Sequence, residues 1–235
     1  MEKVIKNTIL LLLILSLSFS TALLVYLHFF KSEGRSLSGD WTAELDLTEQ
    51  AAVTAFIWLQ GIDGVSVSPE DVVSCMQKLT VDVCLNLEAT SGSEGAFHFS
   101  ITKESYEACE QAAYEAFAEV FRELLSERLH MAGYTGGTDK EDIEALVAET
   151  FGMSTVSYLM TYGPELLPSL EDLQAQYDGS GTYEAAEGIL TWRYDNGTTR
   201  TENYVRENFH LVLLGEEVSD RQGQKKPAIL IFQKK

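Results

Sequence analysis

Residues 78–89 read KLTVDVCLNLEA and alternate without interruption. Leu79, Val81, Val83, Leu85 and Leu87 share one side, and Thr80, Asp82, Cys84, Asn86 and Glu88 share the other. A period of two marks a strand with one oily face. Such a strand needs partners of the same pattern, and the chain supplies them: WTAELDL from Trp41, AFHFSIT from Ala96, TYEAAE, ILTWRY, TRTENYV, FHLVLL and AILIFQK. That makes about eight strands. Glu187-Gly188 breaks one apolar run, and Asn196-Gly197 is a strong short hairpin signal. Eight antiparallel strands with one oily face can close into a small barrel and so remove their edges.

A period of 3.6 replaces the alternation between residues 103 and 178. Tyr106, Cys109, Ala113, Phe117, Val120, Phe121, Leu124 and Leu125 form a helical stripe that Gly133 can stop. Thr138 with Glu141, and Ser169 with Asp172, have capping-box spacing, and Ser154 can cap a short helix between them. Ahead of this insertion, Asp46 and Glu49 have the same spacing before AAVTAFIWLQG, and Ser68-Pro69 can open another helical turn.

Thr8 to Phe30 carries no Asp, Glu, Lys or Arg. As a helix it would reach about 34 Å, enough to cross a hydrocarbon core of about 30 Å. Lys3 and Lys6 precede it, which orients the remainder outward. The expectation is a cytoplasmic stub (1–7), a transmembrane signal-anchor (8–30), a short linker (31–38) and an extracytoplasmic domain (39–235), localised at the cell membrane as a single-pass protein. A cleaved signal peptide, ending near Ser18-Phe19-Ser20 or Ser20-Thr21-Ala22, is the alternative.

The formal charge is −19, from 17 Lys and Arg against 36 Asp and Glu. That field repels phosphate-rich partners and excludes nucleic acid. Cys75, Cys84 and Cys109 allow one disulfide and a free thiol, or serve as small apolar residues. His98 and His210 lie on strands with Asp82 and Glu88 on the strands as well, but no metal-ligand spacing links them, and no metal or cofactor is expected. Glu110, Glu115, Glu119, Glu123 and Glu127 read as a solvated helix face balanced in part by Arg122 and Arg128. GYTGGTDK, residues 133–140, lacks Walker spacing and reads as an interhelical linker. No GxSxG, HExxH, P-loop or GxGxxG occurs. No catalytic residue is assigned, and a non-enzymatic protein is expected.

Gly39-Asp40-Trp41, opening the first strand, resembles the Gly-x-Trp of lipocalin-like (calycin-type) barrels. The order of elements is also similar to a group of exported Firmicutes proteins of unassigned function, which run from a membrane segment through G-x-W and a helical insertion to blocks like GTYEAAEGILTWRY and AILIFQKK. True lipocalins have no counterpart to the insertion. The resemblance implies an α+β protein: a lipocalin-like antiparallel barrel with a large helical insertion. Trp41, Val81, Val83, Leu85, Phe97, Phe99, Leu211 and Leu213 would line its interior, either around an apolar small molecule or as a filled core. The expected function is ligand or envelope-protein binding by a membrane-anchored domain. The alternatives are a structural or protein-interaction module acting through residues 103–178, and an enzyme without a recognisable motif.

Overall fold

The structure, a computed structural model, describes residues 37–61, 68–76, 78–219 and 225–234. Eight strands, β1 (Gly39–Asp46), β2 (Thr80–Ser91), β3 (Glu94–Ile101), β4 (Gly179–Ala186), β5 (Ile189–Tyr194), β6 (Thr199–Glu207), β7 (His210–Ser219) and β8 (Lys225–Lys234), follow one another in chain order and close into an antiparallel barrel. Each coincides with one of the alternating segments. Helix α1 (Thr48–Gln60) and the short α2 (Pro69–Cys75) lie between β1 and β2. The insertion between β3 and β4 is helical: α3 (Lys103–Met131), α4 (Lys140–Phe151), α5 (Thr155–Tyr162) and α6 (Leu170–Tyr177).

By contact density the described residues form two compact units: the first takes those within 37–41, 85–98 and 179–234, the second those within 42–84 and 99–178. In the first unit, tight turns set the register. Glu187 (φ 53°) and Gly188 (φ 79°) form the two-residue loop between paired Ala186 and Ile189, the left-handed geometry of a type I′ turn. Asn196-Gly197 turns the next hairpin, with Gly197 at φ 87° and its N–H donating to the Tyr194 carbonyl at 2.9 Å. Phe97 meets Trp192 edge-on at 4.9 Å and Tyr194 at 5.0 Å between ring centroids.

Trp41 is 1% exposed and donates its indole N–H to the Leu37 carbonyl at 2.8 Å. The Arg206 guanidinium and the Lys234 ammonium lie 5.7 and 5.6 Å from its ring centroid, and Lys234 Nζ also donates to the Ser38 carbonyl. Gly39 stands at φ 135°, and a Cβ there would run into the Lys234 side chain. The Gly-x-Trp triplet is thus accounted for by packing.

All eight residues expected to line the barrel are buried, from Val81, Val83 and Leu211 at 0% to Phe99 at 7%. Strand β6 departs from the simple pattern. Its inward positions include Glu202, 8% exposed, whose carboxylate accepts from Trp192 Nε1 at 3.1 Å and pairs with Arg200 at 2.8 Å. A buried carboxylate is tolerated because both partners are charged or strongly polar donors.

The membrane expectation is corrected. Among the described residues no helix is long and apolar enough to cross a membrane. The 29-residue α3 has the length, but ten of its side chains are charged. The anchor placed at residues 8–30 lies outside the described residues, so the transmembrane helix, the single-pass localisation and the membrane as a partner are withdrawn.

Smaller corrections concern caps. Helix α4 is capped by Asp139, which accepts from Asp142 N, because Thr138 instead bonds His130 at 2.7 Å. Asp46 accepts from Thr48 N at 2.9 Å but is not the N-cap of α1, which is Leu47. Ser154 and Ser169 cap α5 and α6 as expected. Cys75, Cys84 and Cys109 are all free thiols.

Candidate interaction surface

The second unit is built on α3. Tyr106, Cys109, Ala113, Phe117 and Val120 recur at three- and four-residue intervals and are all buried. Tyr106 and Tyr114 donate their hydroxyls to the Pro168 and Pro164 carbonyls, at 3.1 and 2.8 Å, which fastens the segment between α5 and α6 to this helix. Burial, reinforced by the nearby Glu110 carboxylate, pushes the Tyr106 phenol up to about 12. Burial likewise pushes the Cys109 thiol up to about 11, which keeps it protonated and chemically quiet.

A polar clamp joins α3, α4 and α5. Arg122, only 11% exposed in its side chain, donates to Glu119 at 2.7 Å and to Glu144 at 2.9 Å. Glu144 in turn accepts from the backbone N–H and hydroxyl of Thr155, at 3.0 and 2.7 Å, and Thr155 is fully buried at the first turn of α5. Lys140, opening α4, completes the network on Glu119. Partial burial raises the Glu144 carboxyl, but the Thr155 bonds and Arg122 outweigh it and hold the group below the ordinary carboxylate range. Glu119 is held down first by the Lys140 bond, then by Arg122.

With the helices held in this way, their rings line up. Phe117, buried, meets Trp58 of α1 edge-on at 5.6 Å, and Trp58 lies 6.2 Å from Phe121. Phe121 is 6.2 Å from Tyr158 of α5, and Tyr158 meets Phe151 at 4.5 Å and Tyr162 at 5.3 Å. The ladder therefore runs from the core outward to Phe151 and Tyr162, which are 48% and 61% exposed. Ile57 and Met160 on α1 and α5 are exposed as well. Exposed rings at such density are uncommon on a surface with no partner.

The charge around this ladder is one-sided. Among the described residues the second unit holds 22 Asp and Glu against 5 Lys and Arg, a formal charge of −17, whereas the first holds 10 against 6, a charge of −4. Four of the five cations in the second unit, Lys78, Lys103, Arg122 and Lys140, are engaged with carboxylates of their own unit. The excess carboxylates face solvent. Two clefts open on the same helices. One, about 500 Å³, lies between α3 and α4 beside Glu119, Glu123, Glu127, His130, Asp139 and Lys140; the other, about 570 Å³, lies along α4 beside Glu141 and Glu144.

The sequence-derived candidates fall elsewhere. The eight lining residues are buried strand positions, and none of them is a member of this ladder. His98 bonds Ser180 on the neighbouring strand at 2.8 Å, and His210 sits opposite Glu207 and Gln233. These two histidines stand on β3 and β7, at opposite sides of the closed order, so they do not meet. Residues 132–139 link α3 to α4, as expected of GYTGGTDK. The Glu110–Glu127 face is solvated in large part, but Glu119 belongs to the clamp.

Fold and surface together define an antiparallel eight-stranded barrel carrying a helical insertion with an acidic, aromatic face. No family model, no curated protein and no solved structure matches the chain. The resemblance to lipocalin-like barrels and to exported Firmicutes proteins is therefore corrected: it rested on the Gly-x-Trp triplet and element order, and the triplet is explained by Trp41 packing.

Proposed function

We propose that this protein is a protein-interaction module that acts through its helical insertion, by binding and without a chemical step of its own. The partner is a segment that sets Lys or Arg beside aromatic or aliphatic side chains. One observation carries this reading: the ladder Trp58–Phe121–Tyr158–Phe151–Tyr162 reaches solvent within a unit whose described residues carry a formal charge of −17. Rings supply the apolar contact that dominates interface energy, and the surplus carboxylates supply steering and select against acidic partners. The Arg122–Glu144–Thr155 clamp serves as the support that holds the rings in place. On this reading the eight lining residues are core packing of the barrel and bind nothing.

The test is titration of the full chain with a cationic amphipathic peptide and with its Glu-substituted counterpart, followed by calorimetry. Binding of the cationic peptide alone, weakened at least tenfold in Phe151→Ser/Tyr162→Ser and weakened by added salt, is expected. Equal binding of both peptides, or full affinity in the double variant, contradicts the reading.

A further inference from the structure

Asn196-Gly197 turns the hairpin between β5 and β6, and every residue from Asp195 to Arg200 is exposed. The Thr198 N–H donates to Asn196 Oδ1 at 2.9 Å. That bond curls the carboxamide over its own backbone and polarises the side-chain carbonyl toward nucleophilic attack. Gly197 follows at φ 87°, and a Cβ built there would meet nothing within 4 Å, so its nitrogen carries no side chain and stands in open space.

The other described asparagines are placed differently. Asn86, Asn203 and Asn208 precede Leu87, Tyr204 and Phe209, whose side chains obstruct approach of the following backbone nitrogen. Asn86 also donates Nδ2 to Asp40 at 2.7 Å, and Asn203 sits in the ladder opposite Ile189 and Leu214.

We propose that Asn196 is a site of spontaneous covalent modification, converted to isoaspartate and aspartate while the barrel stays folded. The Gly197 nitrogen attacks Asn196 Cγ, the new N–C bond closes a five-membered succinimide, and the Cγ–Nδ2 bond breaks. The leaving nitrogen takes the Gly197 proton and departs as ammonia. Water then opens the ring. Cleavage of the Cγ–N bond gives aspartate, and cleavage of the bond to the main-chain carbonyl carbon gives isoaspartate. Nothing is oxidised or reduced, and water is the co-reactant. In the closed turn the Gly197 N–H donates to the Tyr194 carbonyl at 2.9 Å, so attack proceeds from a locally opened tip. Exposed tips open at far lower free energy than the sheet they join.

The strand register carries the effect inward. Isoaspartate adds a methylene to the main chain between paired Arg193 and Thr199, and the next pair is Trp192 with Arg200. Those two side chains are the donors to the buried Glu202 carboxylate. Aspartate keeps the main-chain length and an acceptor for the Thr198 N–H, so it leaves the hairpin in place. The site belongs to the barrel unit and is independent of the helical module.

The test is incubation of the full chain under native conditions at mildly basic pH, followed by peptide mapping with fragmentation that separates isoaspartate from aspartate. Methylation by an isoaspartate-specific carboxyl methyltransferase gives a second readout. Conversion is expected first at 196, lost in Asn196→Gln, and about tenfold faster once denaturant opens the turn. A native chain still intact at 196 after many half-lives of the denatured chain's conversion, or earlier conversion at 86, 203 or 208, overturns the proposal. The isolated isoaspartate form should melt about 2–4 °C below fresh protein, whereas Asn196→Asp should melt with wild type. An isoaspartate form as stable as fresh protein, or an equal loss in Asn196→Asp, overturns the assigned effect on the hairpin.

Discussion

The two units of this chain solve the problem of surface in opposite ways. The described residues of the barrel unit carry a formal charge of only −4; the unit pairs its buried carboxylate Glu202 with Trp192 and Arg200, and leaves aliphatic side chains on part of its outer wall. The described residues of the helical unit carry −17, and part of its exposed apolar material is in stacked rings. Charge of one sign destabilises a compact state by self-repulsion. The helical unit offsets this with local devices: the Arg122 clamp, the Lys140 bond to Glu119, and serine and aspartate caps at three helix starts. The lesson of the contrast is that the barrel is held by its core, whereas the helices also need particular polar contacts.

Several substitutions can break that comparison. Trp192→Ala in the barrel and Phe117→Ala in the helical unit each remove a fully buried aromatic and should cost about 3–5 kcal/mol. Denaturant titration gives the magnitudes. Hydrogen exchange should show the loss of protection starting in the unit that carries the substitution, and uniform loss in both cases would show that the two units unfold as one.

Arg122→Met should cost less, about 1–2 kcal/mol, because Glu119 and Glu144 are partly solvated and screened while Thr155 stays bonded to Glu144. Its mark should be confined to α3, α4 and α5. A matching loss in the barrel strands would contradict the division of roles.

Acid should erase the clamp. The Glu144 carboxyl is held below its ordinary value in the folded chain, so its contribution is present above the unfolded-state value near 4.5 and is lost as pH falls through the lower folded-state value. Glu144→Gln should therefore lower the thermal midpoint at pH 7, and the gap to wild type should close by about pH 3. A gap that widens on acidification would reverse the assigned sign.

The smallest effect on stability is expected for Phe151→Ser/Tyr162→Ser, about 0.5 kcal/mol or less per site, since both rings are largely exposed. A small stability change with a large binding change would separate interaction surface from core.

Much of the barrel was legible because its signal is local. Each strand shows its period within six to twelve residues, and all eight segments named from alternation are strands. The Ser154 and Ser169 caps were legible for the same reason. Asp139 was missed as a cap because Thr138 satisfies the same motif one residue earlier, and only the His130 bond removes it from contention.

The aromatic ladder has no sequence signature. Its members sit at 58, 121, 151, 158 and 162, on four helices, and apart from Tyr158 and Tyr162, four residues apart on one helix, nothing in their spacing announces that they touch. Trp58 reads simply as a large core residue, and Arg122 as one cation among many carboxylates. Glu202 was hidden as well, because TRTENYV alternates polar with polar and gives no sign of which side faces in. Gly39-Asp40-Trp41 was visible but misleading: the triplet answers to Lys234 and Arg206 packed on Trp41, which any barrel can use.

The central claim, that the helical unit is the binding surface, is tested most directly by hydrogen exchange on the full chain with and without the cationic amphipathic peptide. Added protection is expected in Lys140–Phe151, in Thr155–Tyr162 and at the C-terminal half of Thr48–Gln60, with none in β5–β8. Protection confined to Ile189–Lys234, or no change anywhere at saturating peptide, would contradict it.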